Sequence, residues 1–169
     1  MKAAVMYERH KPLVLDDVDP AANELEVELV ASGVCYSDQH HLERETWIKP
    51  PVVLGHEGAG VVKTVGAAER TVVNQNNIVK IREDAPLDVV CIVGDAVATG
   101  VGAVIHTAEV EPGSNVVVVG TGGVGLNVIQ GARLAGAERI IAVDLLDNKL
   151  EFAHEMGAGE VARAVVEIQ

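Results

Sequence analysis

Four consecutive valines, Val116 to Val119, run directly into GTGGVG, Gly120 to Gly125, and the residues that follow carry Val124, Val128, Ile129 and Ala132 at helical spacing. A continuous valine run reads as a strand, and the order strand, G-x-G-x-x-G, helix leaves few folds open. Gly120 permits a tight turn, Gly122 lets backbone N–H groups approach a pyrophosphate at the helix N-terminus, and Gly125 lets strand and helix pack closely. The next apolar run, ERIIAVD, ends in Asp144, 19 residues beyond Gly125. A carboxylate there accepts hydrogen bonds from an adenosine ribose and repels a 2′-phosphate. A glycine-rich turn alone often only joins a strand to a helix. Strand, glycines, helix, second strand and terminal acid agree here, which favours a dinucleotide site, with NAD preferred over NADP.

The chain changes texture near Pro86. Before it lie short β-rich runs, KAAVMY, LEVELVASGV, GAGVVKTVG and NIVKI, separated by the turn clusters DPAAN and VNQNN, which predicts a mostly antiparallel β domain with little helix. After it come an apolar segment to Ala108, a turn at EPGSN, then strand, helix, strand and the helical stretch LLDNKLEFAHEMGAG. Aromatic residues are 2% of the chain, so the core must be built from Val, Ala, Leu and Ile. Acidic residues outnumber basic ones by 25 to 13, the formal charge is -12 and the cations are scattered, which argues against nucleic acid as a partner. Two cysteines form no disulfide framework and MKAAVMYERH lacks an apolar signal segment, so a cytoplasmic location is expected. Val89 to Ala108 approaches the length of a membrane span, but it holds three glycines and Asp95, whose insertion costs about 3 kcal/mol. A buried soluble segment is expected there, and no membrane partner.

GVCYSDQH, Gly33 to His40, places a thiol, a hydroxyl, a carboxylate and an imidazole within eight residues. Further on, VVLGHEGAG sets His56 and Glu57 between glycines, where side chains project. Cys35 and His56 make a plausible metal pair. Each alone has a plainer reading, a small buried hydrophobe for the cysteine and a satisfied surface or core group for the histidine.

Together GVCYSDQH, GHEGAGVVKTVG, DAPLDVVCIVGDAVATGVGAVIHTAEVEPGS and GTGGVGLNVIQGARLAGAERIIAVD resemble the zinc-dependent alcohol dehydrogenases of the medium-chain dehydrogenase/reductase superfamily. The chain is most like the branch with the glutathione- or mycothiol-linked formaldehyde dehydrogenases. The resemblance implies an α/β protein: a mostly β GroES-like catalytic domain over residues 1–90, followed by a partial NAD-binding Rossmann domain, a doubly wound parallel sheet, over 91–169. It implies an oxidoreductase that passes a hydride from an alcohol, or a hydroxymethyl adduct, to NAD.

By the same resemblance Cys35 and His56 are ligands of a catalytic Zn²⁺, Asp38 orients His56, and Glu57 sits close behind the metal. Ser37 takes the alcohol proton and passes it, through the nicotinamide ribose, to His40. Thr99 and Val124 line the nicotinamide, Gly120, Gly122, Gly123 and Gly125 form the pyrophosphate turn, and Lys149 joins Asp144 at the adenosine ribose. His41 is expected at the surface. Trp47 either limits substrate bulk or covers the core. Where the family has a third, cysteine ligand, GDAVATG presents Asp95. A carboxylate there serves as a harder ligand, or the ligand is lost. Cys91 reads as a buried apolar residue. No C-x-x-C cluster occurs, so one zinc site is expected and no structural site. VARAVVEIQ reads as the third strand of the sheet, in spatial order 3-2-1, which leaves Val116 to Val119 as an open edge and suggests a homo-oligomer or self-association. The alternative is a catalytically inactive remnant that retains at most nucleotide binding or an assembly role.

Overall fold

The valine run forms β7 (Asn115–Val119), which pairs in parallel with β8 (Arg139–Asp144), and β8 pairs in parallel with β9 (Glu160–Arg163). These strands belong to a computed structural model that describes residues 2–19, 24–44, 46–63 and 70–164 and forms two compact units, Met1–Gly94 and Asp95–Gln169.

In the second unit the strand order is β7-β8-β9, the 3-2-1 arrangement read from the sequence. Side chains alternate across the sheet. Val118, Ile140 and Ala142 enter a core with Ile129 and Ala132 of α4 (Gly123–Leu134), Ala153 of α5 (Asp147–Glu155), Val104 and Ala158. A fully buried Ile such as Ile129 contributes about 1.5–3 kcal/mol relative to exposure. Val117, Val119 and Val161 are exposed, and among the described residues β7 pairs only with β8.

Val89 to Ala108 departs from the expected buried segment. It is helical and only partly buried: Cys91, Gly100 and Val104 are buried, while Val89, Ile92, Val93 and Ile105 are exposed. In the second unit α3 (Ala98–Gly102) leads into a π-helical turn, Ala103–Thr107. α3 lies on α4 because glycines let the backbones meet: a Cβ at Gly100 would fall 2.6 Å from the Val124 carbonyl oxygen, and one at Gly131 3.1 Å from Val101 Cα. Among the described residues no helix is long and apolar enough to cross a membrane.

The first unit is antiparallel throughout its described strands. β1 (Lys2–Met6) lies between β2 (Val14–Asp17) and β4 (Val52–Val53), and β3 (Glu24–Ser32) between β5 (Gly58–Lys63) and β6 (Arg70–Asn74). α1 (Tyr36–Glu43) follows β3, and the short α2 (Leu87–Val90) closes the unit against β3 and β5. The run NIVKI is not a strand. Asn77 ends a 3₁₀ turn, Gln75–Asn77, and the pairing with β3 is taken by β6 immediately upstream, with Arg70 opposite Glu28 and Asn74 opposite Glu24. Val79 and Ile81 are left exposed, since alternation without a neighbouring strand gives a segment nothing to pair with.

The glycine motif has a measurable packing role. A Cβ at Gly125 would lie 1.9 Å from the carbonyl oxygen of Gly120, so strand and helix close on each other only through glycine. Gly125→Ala is expected to lower stability by about 1–3 kcal/mol, as other overpacked sites do, read from urea unfolding followed by circular dichroism. An unchanged midpoint would show that the strand–helix junction is loose.

Candidate functional site

α1 is built from polar residues and buries none of its side chains. It starts where it does because Asp38, in its first turn, reaches back: Asp38 Oδ2 accepts a hydrogen bond from the Cys35 N–H at 3.2 Å, and a carboxylate there also faces the positive end of the helix. Gln39 Nε2 donates to Glu43 Oε1 at 2.8 Å one turn later. The other oxygen of Asp38 works on the second loop. Asp38 Oδ1 accepts from the Gly55 N–H at 3.2 Å and lies 3.4 Å from His56 Nδ1. Gly55 has φ 107°, a left-handed conformation that turns the chain into this contact.

With Nδ1 carrying its proton toward Asp38, His56 Nε2 keeps its lone pair, and Ser37 Oγ lies 3.4 Å from that nitrogen. Two further bonds hold the loops together, both to the Glu57 carbonyl oxygen: from Ser32 Oγ at 2.8 Å and from the Gly33 N–H at 3.2 Å. Glu57 is 8% exposed, and a Cβ on Gly33 would lie 1.8 Å from its Oε2 and 3.1 Å from its Cβ. The Glu57 side chain thus occupies the space beside Gly33, a relation that sequence spacing did not disclose. The outcome is that Cys35 Sγ, a nitrogen of His56 and a carboxylate oxygen of Glu57 lie within 4.8 Å of one another. Thiolate sulfur, imidazole nitrogen and carboxylate oxygen are the donors zinc takes, and the second ring nitrogen already faces a carboxylate, as metal-binding histidines require. The residues present fit that ion.

Other expected residues fall as follows. His40 lies edge-on to Tyr36 at 4.5 Å between ring centroids, and its Nε2 is buried without a hydrogen-bond partner. His41 is not a free surface group, since its Nδ1 is 2.9 Å from Thr46 Oγ1 and it is partly buried. Trp47 does not cover the core. It is 86% exposed, on a loop whose Thr46 and Ile48 carbonyls accept from Arg9. Asp95 lies in the π-helical turn Val93–Val97, where its Oδ1 accepts from the Thr99 hydroxyl at 3.3 Å. Cys91 is buried, its thiol 3.5 Å from the Asp88 carbonyl.

In the second unit Gly120 has φ 89° and Gly122 precedes α4 with no atom where its Cβ would be, which leaves the backbone of the turn open to an anion. Gly123 and Val124 begin α4. Asp144, at the end of β8, closes on this turn. Its Oδ2 accepts from the Thr121 N–H at 2.7 Å and the Thr121 hydroxyl at 3.0 Å, and its Oδ1 from the N–H groups of Leu145 at 2.8 Å and Leu146 at 3.2 Å. Led by the Thr121 N–H, these donors hold its pKa at about 2 against the ordinary 3.8. The carboxylate's contribution to the folded state is thus complete above 3.8 and is lost as pH falls through about 2. Lys149 stands on the first turn of α5 and its carbonyl lies 3.4 Å from Thr121 Oγ1. Thr121, the variable position inside the motif, is the Asp144 partner that the sequence pattern did not single out.

Two family models match the chain. One for the alcohol dehydrogenase GroES-like domain matches residues 21–135, more than half of the chain, and one for zinc-binding dehydrogenases matches 123–167. The chain is similar to an alcohol dehydrogenase zinc-binding domain protein from Burkholderia ambifaria, at 26% identity and a TM-score of 0.84 over 96% of this chain and 63% of that one. It is similar to benzyl alcohol dehydrogenase from Acinetobacter calcoaceticus, at 25% identity and 0.82 over 95% and 62%. It is also similar to a quinone oxidoreductase from Thermus thermophilus, solved with NADPH, at 26% and 0.82 over 96% and 60%. The chain thus spans less than two thirds of the length of these structures.

The position of Asp38 between both loops generates a prediction. Asp38→Ala should weaken zinc binding about 10–100-fold in a competitive chelator titration, the usual effect of removing a carboxylate behind a ligand histidine. Equal affinity in both proteins would mean that His56 is oriented by something else.

Proposed function

This chain belongs to the zinc-dependent alcohol dehydrogenases of the medium-chain superfamily, and from that premise we propose that it provides the metal and proton-transfer machinery of an oxidoreductase that moves a hydride from an alcohol, or a hydroxymethyl adduct, to NAD. The observation that carries this reading is the Asp38-centred cluster, which draws Cys35, Ser37 and His56 together although they come from two separate loops.

We assign Cys35 and His56 as ligands, with Asp95 as the third by its place in GDAVATG and Glu57 close to both ligand atoms of its own unit. Zinc held by these residues would supply Lewis-acid polarisation of an alcohol oxygen, and NAD would supply the hydride acceptor. The protein's own part is to position and to move a proton. Asp38 faces His56 Nδ1, so that Nε2, not Nδ1, would be the nitrogen offered to the metal. Ser37 Oγ, 3.4 Å from that nitrogen, takes the alcohol proton, and His40, three residues further along α1 and on the same side of the helix, is the onward acceptor. The glycine turn, with Val124 and Thr99 on the packed helices α4 and α3, receives the nucleotide, and Asp144 with Lys149 its adenosine ribose.

A second reading, an inactive chain that binds nucleotide only, is favoured by Asp95, whose carboxylate already engages Thr99 and which stands where the family has cysteine. Zinc analysis and NAD reduction separate the two. The dehydrogenase reading expects one zinc, lost in Cys35→Ala, and a weak rate that rises in Asp95→Cys. No zinc at any loading, or an unchanged rate and zinc content in Asp95→Cys, would leave the inactive reading.

A further inference from the structure

The Asp144 carboxylate is held by four donors from its own chain, two on each oxygen: the Thr121 N–H and hydroxyl on Oδ2, and the Leu145 and Leu146 N–H groups on Oδ1. Three of the four are backbone groups that every sequence would supply. The fourth, the Thr121 hydroxyl, is specific to this one. Thr121 is 2% exposed and β-branched, so its side chain has few conformations available. The hydroxyl has one proton and two acceptors in reach, Asp144 Oδ2 at 3.0 Å and the Lys149 carbonyl at 3.4 Å, and the nearer, charged acceptor takes it.

We propose that Thr121 is a specificity-determining positioning residue, which locks the Asp144 carboxylate in the orientation that accepts a free ribose 2′-hydroxyl and excludes a 2′-phosphate. The inference rests on the nucleotide reading given under Proposed function. Its logic is rotational. A carboxylate tolerates a neighbouring phosphate by turning away about its terminal torsion, which is soft in an unrestrained aspartate. Turning Asp144 breaks the two Thr121 bonds and the two backbone bonds together. The negative charge therefore stays where an incoming 2′-phosphate would meet it, and like charges at contact distance disfavour binding strongly in a partly screened site. A ribose 2′-hydroxyl carries no charge and meets no such repulsion. Without the hydroxyl, Oδ2 keeps only the Thr121 N–H, and the carboxylate gains freedom to rotate.

The test is calorimetric titration of the whole chain with NAD and with NADP, for wild type, Thr121→Val, Thr121→Ser, Asp144→Asn and the double variant Thr121→Val/Asp144→Asn, each first checked for folding by circular dichroism. Thr121→Ala takes the place of the valine variant should that one not fold. The expected result is a fall of about fivefold or more in the NAD-to-NADP affinity ratio in Thr121→Val, recovery in Thr121→Ser, and no additional effect of Thr121→Val once Asp144 is Asn. An equal loss for both nucleotides, or an unchanged ratio, overturns the proposal, because a merely structural threonine would weaken both alike. A wild-type chain that binds neither nucleotide overturns the nucleotide reading itself, an outcome distinct from wild-type binding with an unaltered ratio.

Discussion

One carboxylate, that of Asp38, is the constraint on which the candidate metal site depends. Its two oxygens divide the work: one fixes the start of α1 at Cys35, the other fixes Gly55 and faces the His56 ring. No side chain of α1 is fully buried, and the polar ties from Asp38 link the helix start to the ligand loop. Ser32 and Gly33 complete the arrangement from the strand side by bonding the Glu57 carbonyl, so that both loops are cross-tied before any metal arrives.

The second unit solves a similar problem with different means. Where the first unit positions side chains through a shared acceptor, the second positions backbone through absence of side chains. Gly120 turns the chain at φ 89°, Gly125 admits the helix against the turn, and Gly100 with Gly131 admits α3 onto α4. Asp144, at the end of the following strand, ties the turn to that strand through Thr121, which makes the turn and this acid one hydrogen-bonded body.

The strand–glycine–helix–strand order, the parallel pairing and the antiparallel character of the first unit were legible in the sequence because each has a periodicity or a composition that physics ties to one conformation. Cys35, Ser37, Asp38, His56 and Glu57 were named from motifs, and their convergence is a geometric fact of the fold. What was not legible shares one cause: it depends on partners, not on pattern. NIVKI alternates like a strand but has no strand beside it. Val89 to Ala108 is mostly apolar, yet Val89, Ile92, Val93 and Ile105 are exposed. α1 has no apolar stripe to announce it. Thr121 occupies a position that the motif leaves variable, and His41 is engaged by Thr46, a residue whose approach no spacing rule predicts.

Trp47, the sole tryptophan, is held on its loop by the Arg9 bonds and by His41, whose ring lies edge-on at 6.3 Å, while 86% of it faces water. Its indole is already solvated in the native state. Intrinsic emission from this protein is therefore red-shifted from the outset and changes little on denaturation.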